Sequence, residues 1–194
     1  ADNIELGLHF HGDRIDAKVA LFRTRFDGFI YLRDTGFSTV PDPGEDPLPI
    51  RAWTQSDATF TGFEAEVDAT VYDGDAGRFN VRAFGDRVDA ELRNGENVPR
   101  LAPGRFGVDL RWEADAWRAQ LGATHYMRQD DVAPGETETG GYTLVDAHLA
   151  YHWDRDALGF EVFVEGHNLT DDTARVHTSY LKDVVVLPGR GISA

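Results

Sequence analysis

EVFVEGHNLTDDTARVHTSYLKDVVVLPGR, residues Glu161 to Arg190, carries an alternating strand followed by a turn and a restart. With the residues just before it, its first part alternates: Leu158, Phe160, Val162 and Val164 share one parity, and Glu161, Phe163, Glu165 and His167 the other. Successive side chains of a strand leave opposite faces, so this is a strand with one apolar and one wet face. The chain then enters the turn-forming run Asn168-Leu169-Thr170-Asp171 and restarts at Pro188-Gly189-Arg190.

The same alternation recurs along the chain. Ile4, Leu6, Leu8 and Phe10 oppose Glu5, Gly7, His9 and His11. Phe63, Ala65, Val67, Ala69 and Val71 oppose Glu64, Glu66 and Asp68, and Phe79, Val81 and Ala83 oppose Arg78, Asn80 and Arg82. Phe106, Val108, Leu110 and Trp112 oppose Asp109 and Arg111, while Trp117, Ala119, Leu121, Ala123 and Met127 oppose Arg118, Gln120 and Arg128. Thr143, Val145, Ala147, Leu149, Tyr151 and Trp153 oppose Asp146, His148 and His152. The second strand, read as Arg14 to Leu32, exceeds the roughly 9–11 residues that a bilayer-spanning strand needs. In it Arg23 and Arg25 fall on the parity of Val19 and Leu21, which predicts that its upper part bulges or leaves the bilayer.

Connections alternate between short and long. The short ones, His11 to Arg14, Asp73 to Ala76, Glu113 to Ala116 and Asp154 to Ala157, carry the Gly and Asp chemistry of tight hairpins. The long ones, read as 33–50, 87–104, 129–141 and 169–189, are rich in Pro, Gly, Asp and Asn. Short turns at one end and long loops at the other describe an all-β, antiparallel, up-and-down sheet of about eight strands, with a ninth begun after Arg190. Trp112, Trp117, Tyr151 and Trp153 all sit beside short turns, where an aromatic girdle of a membrane barrel belongs; packing at one end of a sandwich is the alternative.

Composition narrows the function classes. A formal charge of -15 lacks the clustered Lys and Arg that nucleic acid requires, so no nucleic-acid partner is expected and cations are favoured. There is no cysteine, which excludes disulfides and thiolate metal sites. No run of about 20 apolar residues is present, but barrel strands need none. The chain starts at Ala1 without a charged and apolar leader, which reads as a mature form or a fragment whose targeting segment lies elsewhere.

Asn168-Leu169-Thr170-Asp171, His177-Thr178-Ser179-Tyr180-Leu181-Lys182-Asp183 and Leu187-Pro188-Gly189-Arg190 resemble the C-terminal end of TonB-dependent outer-membrane receptors. ATFTGFEAEV (Ala58 to Val67) and GGYTLVDAHLA (Gly140 to Ala150) resemble two other strands of that barrel, and the His177 to Asp183 piece is similar to a subgroup linked to zinc or haem uptake. The resemblance implies a transmembrane β-barrel in a Gram-negative outer membrane that actively imports a metal ion or metal chelate, of zinc, haem or siderophore type. Implied partners are outer-membrane lipid, lipopolysaccharide and a TonB-type energy-transducing protein that acts through a plug domain. Receptors of this kind have about 22 strands around a plug. Residues 1–194 are therefore expected to be the C-terminal part of such a barrel, lacking the plug, the earlier strands and a terminal aromatic.

The wet face carries the candidate site. Pairing the seventh and eighth strands across Asp154 to Ala157 sets Asp146 roughly opposite Glu165, with His148 and His167 beside them and His177 in the following loop able to join. Imidazole with carboxylate suits Zn²⁺ and other transition ions, although a hydrogen-bonded lumen wall explains the same residues. His9, His11 and His152 lie at the short-turn end and read as structural or solvent-exposed. Loop acids Asp42, Glu45, Asp46, Asp130, Asp131, Asp171 and Asp172 could focus cations at the mouth, bind divalent ions that bridge lipopolysaccharide, or simply be solvated. No nucleophile elbow, phosphate loop or His-x-x-x-His motif occurs, so neither an enzyme nor a resident cofactor is expected. Two other readings stay open: a soluble acidic β-barrel or sandwich holding a small apolar ligand inside, and an outer-membrane barrel hydrolase.

Overall fold

A computed structural model describes residues 1–194 except Pro41, Pro43, Glu45 and Ala157. Nine strands follow one another: β1 (Asp2–His11), β2 (Ile15–Ser38), β3 (Pro49–Gly74), β4 (Gly77–Leu92), β5 (Arg105–Ala114), β6 (Trp117–Tyr126), β7 (Tyr142–Arg155), β8 (Leu158–His167) and β9 (Gly191–Ser193). They form one sheet in chain order, each strand antiparallel to the next, with β1 and β9 at its edges. The ninth strand does begin just after Arg190 and pairs with the end of β8. Among the described residues there is no helix.

The short turns fall where Gly and Asp predict them. Gly74 pairs with Gly77, Ala114 with Trp117 and Arg155 with Leu158, which leaves two-residue loops. Left-handed backbone tightens each turn: Gly77 (φ 94) takes it directly after the first loop, and Asp115 (φ 46) and Asp156 (φ 56) take it at the first loop position of the other two, Asp being one of the few non-glycine residues that tolerates the region. Of the residues named above from sequence, Ala157 in the last turn and Glu45 in the first long loop lie outside the described ones.

Apart from two bulges, strand parity follows the sequence pattern. Leu6 stands opposite Leu21, Val108 opposite Ala123, Leu110 opposite Leu121 and Leu149 opposite Val164, so the apolar side chains share one face. That face is bare: Leu6 and Leu8 are 63% and 70% exposed, and no second sheet covers it among the described residues. Moving each such Leu, Val or Phe from water into an apolar medium is worth about 1.5–3 kcal/mol, and the paired ladder leaves the backbone fit for lipid. Among the described residues the apolar side chains do not close on one another as the core of a sandwich or of an apolar carrier would. The girdle forms on the same face: Trp117 packs on Tyr151 at 4.7 Å between ring centroids, Trp153 on Phe160 at 5.4 Å and Phe79 on Trp112 at 6.1 Å. The Trp112 indole N–H donates to the Ala76 carbonyl at 2.8 Å, which ties the girdle to a turn.

Two bulges change the parity. In β2, Phe26 pairs with Ala58 but Phe29 with Ser56, so one extra residue enters between them. Gly28 takes φ 73 there; its N–H donates to Asp57 at 3.0 Å and its carbonyl accepts from the Gln55 amide at 2.9 Å. Beyond the bulge Tyr31 and Arg33 turn to the wet face, while Ile30 and Leu32 take the other. Arg23 and Arg25 precede the bulge and keep the face of Val19 and Leu21, in unbroken register with Ile4 and Asp2 on β1 and with Thr61 and Thr59 on β3. In β3, Thr70 pairs with Asn80 and Tyr72 with Phe79, so Val71 is the bulged residue and Tyr72 takes the outward place. Strand lengths also depart from the reading. β2 runs to Ser38 rather than Leu32, and β4 to Leu92, which shortens the long connections to 39–48 and 93–104. The β2–β3 ladder resumes beyond Asp34 and closes at Ser38 and Pro49. These long strands rise past the spanning segment and pack Ala58, Ala90, Leu92 and Val98 with Phe29 and Phe60 into a small dry cluster beneath the loops.

The wet face is a lattice of ion pairs. Arg82 bridges Glu66 at 2.6 Å and Asp109 at 3.0 Å, Arg105 holds Asp86 at 2.8 Å, and Arg111 pairs with Asp68. Each joins neighbouring or next-neighbouring strands, so the charged residues bind the sheet across its width.

Candidate functional site

The register between β7 and β8 sets His148, not Asp146, opposite Glu165, one pleat away from the expected pairing. The two-residue turn between Arg155 and Leu158 fixes this offset. His148 Nε2 lies 3.8 Å from Glu165 Oε1, His167 Nε2 3.7 Å from Glu165 Oε2, and His167 Nδ1 3.7 Å from Asp146 Oδ1. Four of the five predicted residues therefore form a chain of alternating imidazole and carboxylate. The spacing is loose, and Asp146 is already engaged, since its Oδ1 accepts the Asn168 N–H at 2.9 Å.

That bond belongs to the motif that opens the last loop. Asn168 is buried, with left-handed backbone at φ 46. Its side chain donates to the carbonyls of Asp172 (3.0 Å) and Pro188 (3.3 Å) and accepts the Asp172 N–H at 3.0 Å. Asp171 accepts the Arg190 N–H and Asp172 the Thr143 N–H, both at 2.8 Å. Asn-Leu-Thr-Asp is thus a folding device: it returns the chain so that β9 can pair with β8. Asp171 and Asp172 serve backbone amides, while Asp130 lies 3.6 Å from Arg128 and Asp131 3.1 Å from Arg87.

His177 joins a different group. It is 2% exposed, with Nδ1 2.9 Å from the Thr139 hydroxyl and Nε2 3.2 Å from Glu136 Oε1. Lys182 Nζ donates to the same Glu136 oxygen at 3.0 Å and to the Thr137 carbonyl at 2.6 Å. The Arg100 N–H donates to both Glu136 oxygens, at 3.0 and 3.1 Å, and the Ala133 N–H to one at 3.3 Å. One carboxylate thereby ties together the β4–β5, β6–β7 and β8–β9 loops. Its burial opposes ionisation, but bonds from His177, Lys182 and the two amides outweigh that and hold its pKa at about 2, below the ordinary 4.5.

Above this knot opens a cavity of about 190 Å³ whose walls carry Arg33, Arg51, Arg100 and Lys182 beside Tyr180, and the acids Asp34, Glu96, Glu136 and Asp183. The Arg100 guanidinium stacks on the Tyr180 ring at 3.8 Å and Arg51 approaches the same ring at 5.1 Å. Among the described residues neither guanidinium is paired with a carboxylate; that of Arg100 donates to the Leu32 carbonyl at 3.4 Å. Sequence reasoning missed Glu136, Arg51 and Arg100. The available signal was the His177 to Asp183 run itself, whose Tyr180 and Lys182 face the cavity.

The TonB dependent receptor-like β-barrel family model matches residues 1–169. Among solved structures, one described as the copper transporter OprC superposes with a TM-score of 0.77 at 16% identity, covering 97% of this chain and 29% of that one. This chain thus spans under a third of that transporter's length, and the likeness carries the fold: apolar face outward to lipid, ion-pair lattice lining the bore, short turns at the periplasmic rim, long loops outside. Receptors of this family are outer-membrane proteins of Gram-negative bacteria and are not enzymes. With the family pattern running through its first eight strands, the chain belongs to the TonB-dependent receptor β-barrel family.

Proposed function

We propose that the whole receptor imports a metal chelate bearing anionic oxygen groups, drawn in by an inner-membrane energy-transducing partner acting on a plug outside this chain. The observation that carries the reading is the cavity at the loop end of the bore. There Arg51 and Arg100 flank the Tyr180 ring without carboxylate partners among the described residues. Two guanidiniums beside an aromatic face suit a flat, conjugated, anionic ligand better than a bare cation. Haem and aromatic siderophores have that chemistry. The knot around Glu136 supports the reading by holding the three loops that form the cavity wall.

A second reading, import of a bare transition-metal ion, rests on Asp146, His148, Glu165 and His167, whose imidazoles and carboxylates line the bore below the loops. The copper cargo named for OprC fits this reading. Uptake by cells carrying the full receptor separates the two, with radiolabelled haem, an iron–catecholate and free Zn²⁺ and Cu²⁺ as probes. The chelate reading expects accumulation of a chelate that needs the energy-transducing partner and falls about tenfold or more in Arg51→Ala/Arg100→Ala. Accumulation of free ion alone, unaffected by that variant, would overturn it in favour of the second.

A further inference from the structure

At the far end of the bore from the cavity, β1 and β2 bring together His9, His11 and Asp16. His9 and His11 are two apart on one strand, so both imidazoles leave the same face, which is the wet one because Leu8 and Phe10 take the other. His11 stands opposite Asp16 in the register. His9 Nε2 and His11 Nδ1 each lie 2.9 Å from the same Asp16 oxygen, and one ligand atom from each of the three residues falls within 4.8 Å of the others. No other set of three metal-capable side chains among the described residues is so closely gathered.

We propose that His9, His11 and Asp16 form a binding site for a divalent transition metal at the periplasmic rim of the bore. Two neutral imidazoles and one carboxylate are the donor set of borderline ions such as Zn²⁺, Ni²⁺ and Cu²⁺, whereas Ca²⁺ and Mg²⁺ require oxygen ligands. With three protein ligands the ion keeps a position open for water or for a group presented from inside the bore. Each ring now points a nitrogen at Asp16; moving the proton to its other nitrogen frees a lone pair, so binding to the neutral rings releases no proton.

The surrounding charges leave the trio available. Lys18 Nζ lies 3.6 Å from the other Asp16 oxygen, away from the one the imidazoles share, and faces Glu66 across β2 and β3. Asp68, opposite Asp16 on β3, is engaged by Arg111. His9 and His11 are exposed to the bore, so an ion reaches them without the loops opening.

The site does not depend on what the receptor carries, and the test keeps the two apart. The full receptor in detergent, given Cu²⁺ alone, is expected to show an electron paramagnetic resonance signal with two coordinated imidazole nitrogens. His9→Gln/His11→Gln should abolish that signal, Asp16→Asn should weaken binding about tenfold or more, and His148→Gln/His167→Gln should leave it intact. Persistence of the signal in a variant carrying both His9→Gln/His11→Gln and His148→Gln/His167→Gln, or its loss in His148→Gln/His167→Gln alone, would overturn the proposal. A measurement on the unaltered receptor guards against a variant that fails to assemble: Zn²⁺ should protect His9 and His11 from diethyl pyrocarbonate, read by peptide mass spectrometry. Equal modification with and without Zn²⁺ counts against the site.

Discussion

Glu136 gathers five contacts from three loops onto one carboxylate that is 6% exposed. Its neighbours favour the charged form, so its pKa is lowered on folding, from 4.5 to about 2. The stabilisation is then complete above pH 4.5 and is lost as the pH falls through about 2. Hydrogen exchange of residues 129–141 and 175–183 is expected to show steady protection from neutral pH down to about 5 and a steep loss below about 3. Glu136→Gln leaves the Lys182 ammonium buried without its counter-charge, a defect of about 3–5 kcal/mol. The same segments should then exchange rapidly even at neutral pH. Asn168 offers a second residue-scale test, because its φ of 46 and its side-chain bonds to Asp172 and Pro188 make separable contributions. Asn168→Ala loses both and should cost about 2 kcal/mol or more in thermal stability of the receptor. Asn168→Gly keeps the backbone freedom and should cost less.

At the scale of the element, β5 and β6 are each ten residues long, the span of one hydrocarbon layer, and Leu110 and Leu121 face each other at their middle. Leu121→Arg should destabilise folding into phospholipid vesicles by about 2–4 kcal/mol, the cost of an arginine on the lipid face near the midplane. Its neighbour Gln120 points into the bore, and Gln120→Arg should fall well short of that cost. This parity was legible in the sequence, since a period of two needs only the strand itself. The bulges at Gly28 and Val71 were not, because one extra residue leaves no mark on composition and shows only when the partner strand is known. The His148–Glu165 pairing was missed by one pleat for a similar reason: the register follows from the length of a two-residue turn, and the Asp-rich run around it was compatible with more than one length.

The loop end belongs to the whole molecule. His177 was legible as a notable residue, but its partners lie 38 and 41 positions away, at Thr139 and Glu136, and no local pattern links them. The cavity beside Tyr180 likewise draws Arg51 from the start of β3 and Arg100 from the β4–β5 loop. Stacked arginines of this kind predict that Tyr180→Ala weakens ligand capture through loss of both orientations. It should act on uptake of the chelate at limiting concentration rather than on the maximal rate.

The fold and the proposed transport both turn on which face of the sheet meets lipid. Because this stretch contains no cysteine of its own, single cysteines placed in the full receptor at Leu110, Leu121 and Val162, and at Arg111, Gln120 and Glu161, can carry spin labels through the same three strands. In a lipid bilayer the first set is predicted to collide with dissolved oxygen and to be shielded from a water-soluble nickel complex, with the second set showing the opposite. Loss of this alternation, or its reversal between the two sets, would contradict the assignment of the apolar face to the membrane and of the ion-pair lattice to the bore.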